Sequence, residues 1–350
     1  MSTLIRPPPV SPAHAPIENV LELTSLHDID ADLYTNSRPL WHPPGARGIF
    51  GGAAIAQCLS AAQKTVTHDF TVHSMHCYFV LAGNSEIPIL YHVERVRSGK
   101  SFATRTVQAR QRGKVIFTTT ISFVRQNSGG EKLVEHAVTM PQVPTPLEGM
   151  DDFDHGSDAA GPFQSQRIEI FDYDSPHPHT KKCRQWIKAR GTISPAGGHE
   201  AHLAALAYMS DSYFVGTIAR VHKLWRFSPS RKNNTKSSID EDVLKKLLAM
   251  DDDDLKRVEF LKPDDIERIR RLKSGRQERE SKSADTPEIG MMVSLDHTIY
   301  FHDPRGFRAD EWMFTEMETP WSGDGRGLVF QKMFSGDGRL IATCVQEVSS

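Results

Sequence analysis

The chain carries two imperfect copies of one unit. HSMHCYF at 73–79 is echoed by LDHTIYF at 295–301, and each copy runs on into a long segment that ends in an alternating strand after a Gly-basic turn. The turns are Gly113-Lys114 and Gly338-Arg339. A duplication restricts the fold to two similar halves, so any difference between the copies at a core position needs its own reason. Laying the turns together pairs Val115, Phe117, Thr119, Ile121 and Phe123 with Leu340, Ala342, Cys344, Gln346 and Val348. Alternate residues of a strand share one face. Gln346 therefore interrupts an apolar stripe where the first copy has Ile121. A buried amide must find partners or cost free energy, which points to a site in the second copy.

The segments around the repeats set the architecture. From Gly51 the run GGAAIAQCLSAAQKTV is small and apolar almost all round, the composition of a helix buried on every side. Alternating segments follow as far as Arg125. Helix followed by antiparallel strands predicts an α+β unit with a sheet wrapped around one helix. The second copy repeats this with the strand KKCRQWIKARGTI and the helix GGHEAHLAALAYMSDSYFVGT. The expected organisation is a Pro-rich, disordered or loosely attached segment at 1–17, a first domain at 18–127, a connection at 128–165 and a second domain at 166–350. An insertion at about 228–288, without a counterpart in the first half, is dominated by charged residues and reads as solvated surface with short amphipathic helices.

Composition removes several function classes. With 42 basic and 44 acidic residues in 350, the chain has no general pull toward nucleic acid. Cys58, Cys77, Cys183 and Cys344 form no CxxC pair and read as reduced core thiols of an intracellular protein. No segment is long and apolar enough to insert into a membrane. His73 and His76 lie three apart, and His297 and His302 five apart, so the members of each pair point to opposite faces of a strand. His177 and His179 sit in a Pro-containing loop without further ligands, and no metal site is expected. There is no GxSxG elbow and no Walker loop, and the two SGDGR segments read as hairpin turns.

RGIFGG with its apolar helix, HSMHCYFVLAG, SGKSFATRTVQARQRGKVIF, the helix ending LAYMSD, SLDHTIYFH and the terminal ATCVQE occur in this order. Together they resemble the type II acyl-CoA thioesterase family. The resemblance implies a double hot-dog fold and hydrolysis of fatty acyl-CoA to a free acid and coenzyme A, with no cofactor or metal. It also implies a catalytic group of Asp211, Ser294 and Gln346, with Ser294 where many relatives have threonine. Asp211 follows Ala204, Ala207 and Tyr208 at helical spacing, which puts its carboxylate on an apolar face. Gly51 and Gly52, opening the first helix, are candidates for holding an oxyanion or substrate. Arg97, Lys100 and Arg105 are candidates for coenzyme A phosphates, with surface ion pairing as the alternative. The terminus lacks the Ser-Lys-Leu address, which leaves a peroxisomal or cytoplasmic location open, and exposed sheet faces leave homo-oligomers open. The competing functions are a hot-dog enoyl-CoA hydratase, for which no GDxNPxH-like segment is present, and a noncatalytic acyl-CoA-binding protein.

Overall fold

A computed structural model describes residues 7–43, 46–128, 130, 134–147, 161–224, 247–250, 255, 269 and 292–349. In the first copy a short helix α1 (Pro16–Leu21) precedes strands β1 (Leu23–Ser25) and β2 (Leu33–Asn36), then helix α2 (Gly51–Gln63). Four strands follow: β3 (Phe70–Phe79), β4 (Leu90–Ser98), β5 (Phe102–Gln111) and β6 (Lys114–Arg125). The second copy has β7 (Phe163–Phe171), β8 (Lys182–Ala189), α3 (Gly198–Ser210), α4 (Thr217–Val221), β9 (Val293–Ser294) and β10 (Asp296–Phe301). It closes with β11 (Met313–Gly323), β12 (Arg326–Phe334) and β13 (Leu340–Ser349).

The described strands form one antiparallel sheet in the order β1-β2-β4-β5-β6-β3-β10-β13-β12-β11-β8-β7, with β9 beside β13. The halves meet where β3 pairs with β10. There His76 faces Thr298, the same position of the two copies, so an internal two-fold axis passes through this pair. The sheet wraps α2 and α3, which pack against each other at its centre. Their small residues allow this: Ala53, Ala54, Ala56, Ala61 and Ala62 of α2 are all buried. Each half thus sets one long helix in a sheet, the double hot-dog arrangement. Two hairpins owe their tightness to paired left-handed residues: Arg112 and Gly113 (φ 48 and 74°) between β5 and β6, and Asp324 and Gly325 (φ 51 and 67°) between β11 and β12.

Several expectations change. Residues 7–17 are tied down rather than loose. Asn19 bonds to Ser11 and Ala15, Arg38 reaches Pro9 O, and Ala15 and Ile17 are buried. The second copy starts earlier than KKCRQW, because Phe163–Phe171 already pairs with β8. The described part of the connection, 134–147, lies against the second copy. Met140 and Val143 cover an outer cluster of Trp186, Phe314 and Phe334, and Trp186 Nε1 donates to Pro144 O at 2.8 Å. Most of the charged insertion at 228–288 lies outside the described residues. Leu247, Leu255 and Ile269 within it are buried, so a purely solvated face is not what this stretch provides.

Candidate active site

The expected helix around Asp211 stops one residue short of it. Asp211 is the C-cap of α3 (φ −82, ψ −3°), and the backbone turns left-handed at Tyr213 (φ 61°). This places the carboxylate at the end of α3, against the start of α2. A side chain on Gly51 would bring its Cβ 2.7 Å from Asp211 Oδ2, and one on Gly52 would run into the Tyr208 carbonyl. The glycines are there because two helix ends and a carboxylate share this space.

Gln346, fully buried on β13, supplies the amide that bonds to the Asp211 carboxylate. Its Nε2 also donates to Ser294 Oγ at 2.7 Å. Ser294 sits on the two-residue strand β9, held opposite Val348 at the end of β13. The neighbouring Asp296 accepts from the backbone N–H of Glu347 at 2.6 Å, which clamps the strand ends together beside Gln346. The structure therefore brings Asp211, Ser294 and Gln346 to one point, from an α3 terminus and two paired strands.

Burial is the dominant influence on Asp211. It pushes the carboxyl up to about 7, against the lowering effect of hydrogen bonds from the Gly52 N–H and the Gln346 amide. Gly52 thus has a different partner from the oxyanion expected for it. Its N–H, at the positive end of α2, is turned to the carboxylate of Asp211. Aromatic rings help to exclude water. Phe50 packs on Tyr208 with centroids 4.9 Å apart, and Phe79 stands beside Gly51.

Of the three basic candidates, Arg105 is withdrawn. It is 2% exposed, and its five N–H donors go to Thr65 Oγ1 and O, Arg97 O, Thr104 O and Ser98 Oγ at 2.6–3.1 Å. It anchors the turn after α2 and has nothing left for a phosphate. Arg97 and Lys100 are exposed on the β4–β5 hairpin. They stand near the C-terminal end of α2, about 20 Å along a 13-residue helix from the end that meets Asp211.

His297 and Ser210 enter the site in roles that the sequence reading does not give them. His297, fully buried on β10, has Nδ1 2.6 Å from Gln346 Oε1 and Nε2 2.9 Å from Ser210 Oγ. Burial pushes its pKa down to about 4, despite the opposing bond to Gln346, so the ring is neutral. The repeat contained the signal. Aligning HSMHCYF with LDHTIYF sets His297 against Met75, and Met75 faces Ile121 across β3 and β6. One apolar cross-strand pair in the first copy is a polar pair, His297 and Gln346, in the second. Among the described residues, no group of three or more His, Cys, Asp or Glu could hold a metal ion.

Comparison with known proteins gives the same picture over nearly the whole chain. Residues 38–124 match the N-terminal domain of acyl-CoA thioesterases and residues 140–349 their C-terminal domain. Acyl-coenzyme A thioesterase 8 of Rattus norvegicus is 33% identical over 348 residues, covering 94% of this chain and 87% of that protein. A peroxisomal acyl-coenzyme A thioester hydrolase of Saccharomyces cerevisiae is 24% identical, with 95% and 93% covered. The solved acyl-CoA thioesterase II TesB2 of Mycobacterium marinum superposes with a TM-score of 0.61 at 27% identity, over 95% of this chain and 96% of that one. The chain belongs to the type II acyl-CoA thioesterase family.

Proposed function

We propose that this protein hydrolyses fatty acyl-CoA to fatty acid and coenzyme A, with water as the nucleophile and Asp211 as its base. The observation that carries this reading is a buried carboxylate tuned to about 7, joined to an amide and a hydroxyl at one point. A base whose pKa lies near working pH combines a useful ionised fraction with a strong pull on a proton. Asp211 takes a proton from water as its oxygen attacks the thioester carbonyl. Ser294, which accepts from Gln346, keeps its own O–H to hold that water. The carbonyl electrons move to an oxyanion beside Gly51 at the N-terminus of α2, where the positive end of the helix dipole favours negative charge. Collapse breaks the C–S bond, and the thiolate takes the proton from Asp211, since a thiol at about 8.5 is the weaker acid.

Release of coenzyme A from a saturated acyl-CoA tests the reaction. A hydratase has no double bond to act on, and a binding protein does not turn over. Absence of release across a chain-length series would remove the hydrolase reading. Contact of Arg97 and Lys100 with coenzyme A phosphates is a smaller proposal, tested by a rise in KM for both alanine variants. The yeast relative's name supports a peroxisomal site for this chain, which a fluorescent fusion would test. No helix among the described residues is long and apolar enough to cross a membrane. Tyr78 and Tyr300, 61% and 43% exposed beside the internal axis, support self-association through the outer sheet face. Sedimentation of the Tyr78→Glu variant would test it.

A further inference from the structure

An ionised carboxylate only accepts hydrogen bonds. The Gln346 amide that bonds to Asp211 therefore presents its NH2, the same group that donates to Ser294. Its carbonyl oxygen is left facing His297 Nδ1, 2.6 Å away. Two lone pairs at that distance repel, so Nδ1 must carry the proton. A neutral imidazole has one N–H, which leaves Nε2 as an acceptor 2.9 Å from Ser210 Oγ, whose hydroxyl is shared with Ala207 O, also at 2.9 Å. Ser210 is the last residue of α3 and precedes Asp211 directly. The bonds thus close a ring from Ser210 through His297 and Gln346 back to Asp211.

We propose that His297 is a positioning residue for hydrolysis: its Nδ1–H fixes the polarity of the Gln346 amide. This rests on the reading of Asp211 as the base. A glutamine amide has nearly the same shape after a half-turn, but only one orientation donates to Asp211 and Ser294. The other aims a carbonyl at the carboxylate. Phe214, with its ring 5.4 Å from the imidazole at 68°, holds the ring in place, and the burial of His297 and Gln346 keeps water from substituting for either partner.

The titratable groups around Asp211 leave this effect visible. Burial pushes Cys77 on β3 up to about 12 and holds Tyr208 on α3 and Cys344 on β13 higher still. None of them changes charge near neutral pH. Cys344 also accepts from Ser210, whose hydroxyl therefore has three acceptors in reach: Ala207 O, His297 Nε2 and Cys344.

Three variants separate the two nitrogens of the ring. His297→Asn places an amide N–H near the Nδ1 position, and His297→Gln places it near Nε2. His297→Met installs the residue of the first copy. The Asn variant is expected to keep most of kcat. The Gln and Met variants lose roughly ten- to hundredfold in kcat, the effect of one misdirected hydrogen bond to a reacting group, with KM unchanged. Their pH–rate inflection also moves upward from near 7, because Asp211 loses an N–H donor, and that of the Asn variant stays. Equal kcat in all three, or equal loss in all three, overturns the inference. The unmodified protein provides a check that needs no variant: long-range 15N–1H correlation should find the proton of His297 on Nδ1, and a proton on Nε2 also overturns it. Asp211→Asn run alongside keeps the two readings apart. Full turnover there removes the base itself, whereas a dead Asp211→Asn with three active His297 variants removes only the role of His297.

Discussion

Replacing Asp211 with asparagine should abolish most activity and, above neutral pH, make the protein more stable. The carboxyl is raised from 3.8 to about 7, chiefly by burial. The folded state therefore holds the proton more tightly than the unfolded chain. Stability contributed by the protonated form is complete below about pH 4 and is lost as pH rises through about 7. At about 1.36 kcal/mol per pKa unit, the ionised carboxylate costs up to about 4 kcal/mol at pH 8. Asparagine has no such cost. Its oxygen still accepts from the Gly52 N–H, but its NH2 meets the NH2 of Gln346, a mismatch worth about 1 kcal/mol. The net expectation is a variant about 3 kcal/mol more stable at pH 8, with the advantage shrinking as pH falls toward 4. Urea unfolding of both proteins between pH 4 and pH 8 measures this as diverging midpoints, and coenzyme A release measures turnover. Hydrolysis should fall by at least about 10²-fold, the lower end of general-base effects. A stability difference that stays constant across the pH range would refute the claim that Asp211 is a desolvated, titrating base. Near-normal turnover in the folded variant would refute its role.

Other perturbations follow from the same geometry. In the unmodified protein kcat/KM should rise with pH through a single inflection near 7 set by Asp211, with no step from His297, which stays neutral down to about pH 4; a second inflection between pH 5 and 7 would show another group in control. Gln346→Ile, which restores the residue of the first copy, should abolish hydrolysis and destabilise by about 1–3 kcal/mol, because His297 Nδ1 loses its partner. Adding His297→Met rebuilds the apolar pair of the first copy and should recover part of that loss; chemical denaturation of the double variant decides, and additive losses would count against the pairing. Gly51→Ala should lower turnover while leaving a folded protein, since its methyl group displaces the Asp211 carboxylate or the Phe79 ring. Gln331, with both amide atoms buried and unpartnered, predicts a gain of about 1–3 kcal/mol on replacement by methionine, measured as a higher urea midpoint.

Much of the site was legible because the chain supplies its own control. Ile121 opposite Gln346 exposed the amide, and the same alignment held His297 opposite Met75, but in sequence His297 reads only as a candidate metal ligand, set aside because His302, five residues on, faces the other way. The end of α3 was not legible. Ser210, Asp211 and Ser212 read as helix, and only the packing of Gly51 and Gly52 against the turn shows why the helix stops and presents the carboxylate. Arg105 misled for a general reason. An arginine beside a Gly-Lys turn looks like an anion site, and nothing local shows that Thr65, forty residues away in sequence, takes two of its donors. The anchoring of residues 7–17 was equally hidden, since it depends on Asn19 and Arg38 reaching back to them.

The two copies solve the same packing problem in opposite ways, and that difference bears on how the site can exist. In the first copy the turn after α2 carries Thr65, closed off by Arg105, and the strands beneath it pair Met75 with Ile121. Thr65 and all five Arg105 donors are satisfied internally there. In the second copy the turn after α3 carries a carboxylate that burial destabilises, with His297 and Gln346 in place of the apolar pair. An isolated second copy would have to bear that cost with its own core. Here β3 and β10 make one sheet of the two halves, and the N-terminus of α2, from the first copy, provides the N–H that the carboxylate needs. The first copy is therefore both the structural reserve and a partner in the site.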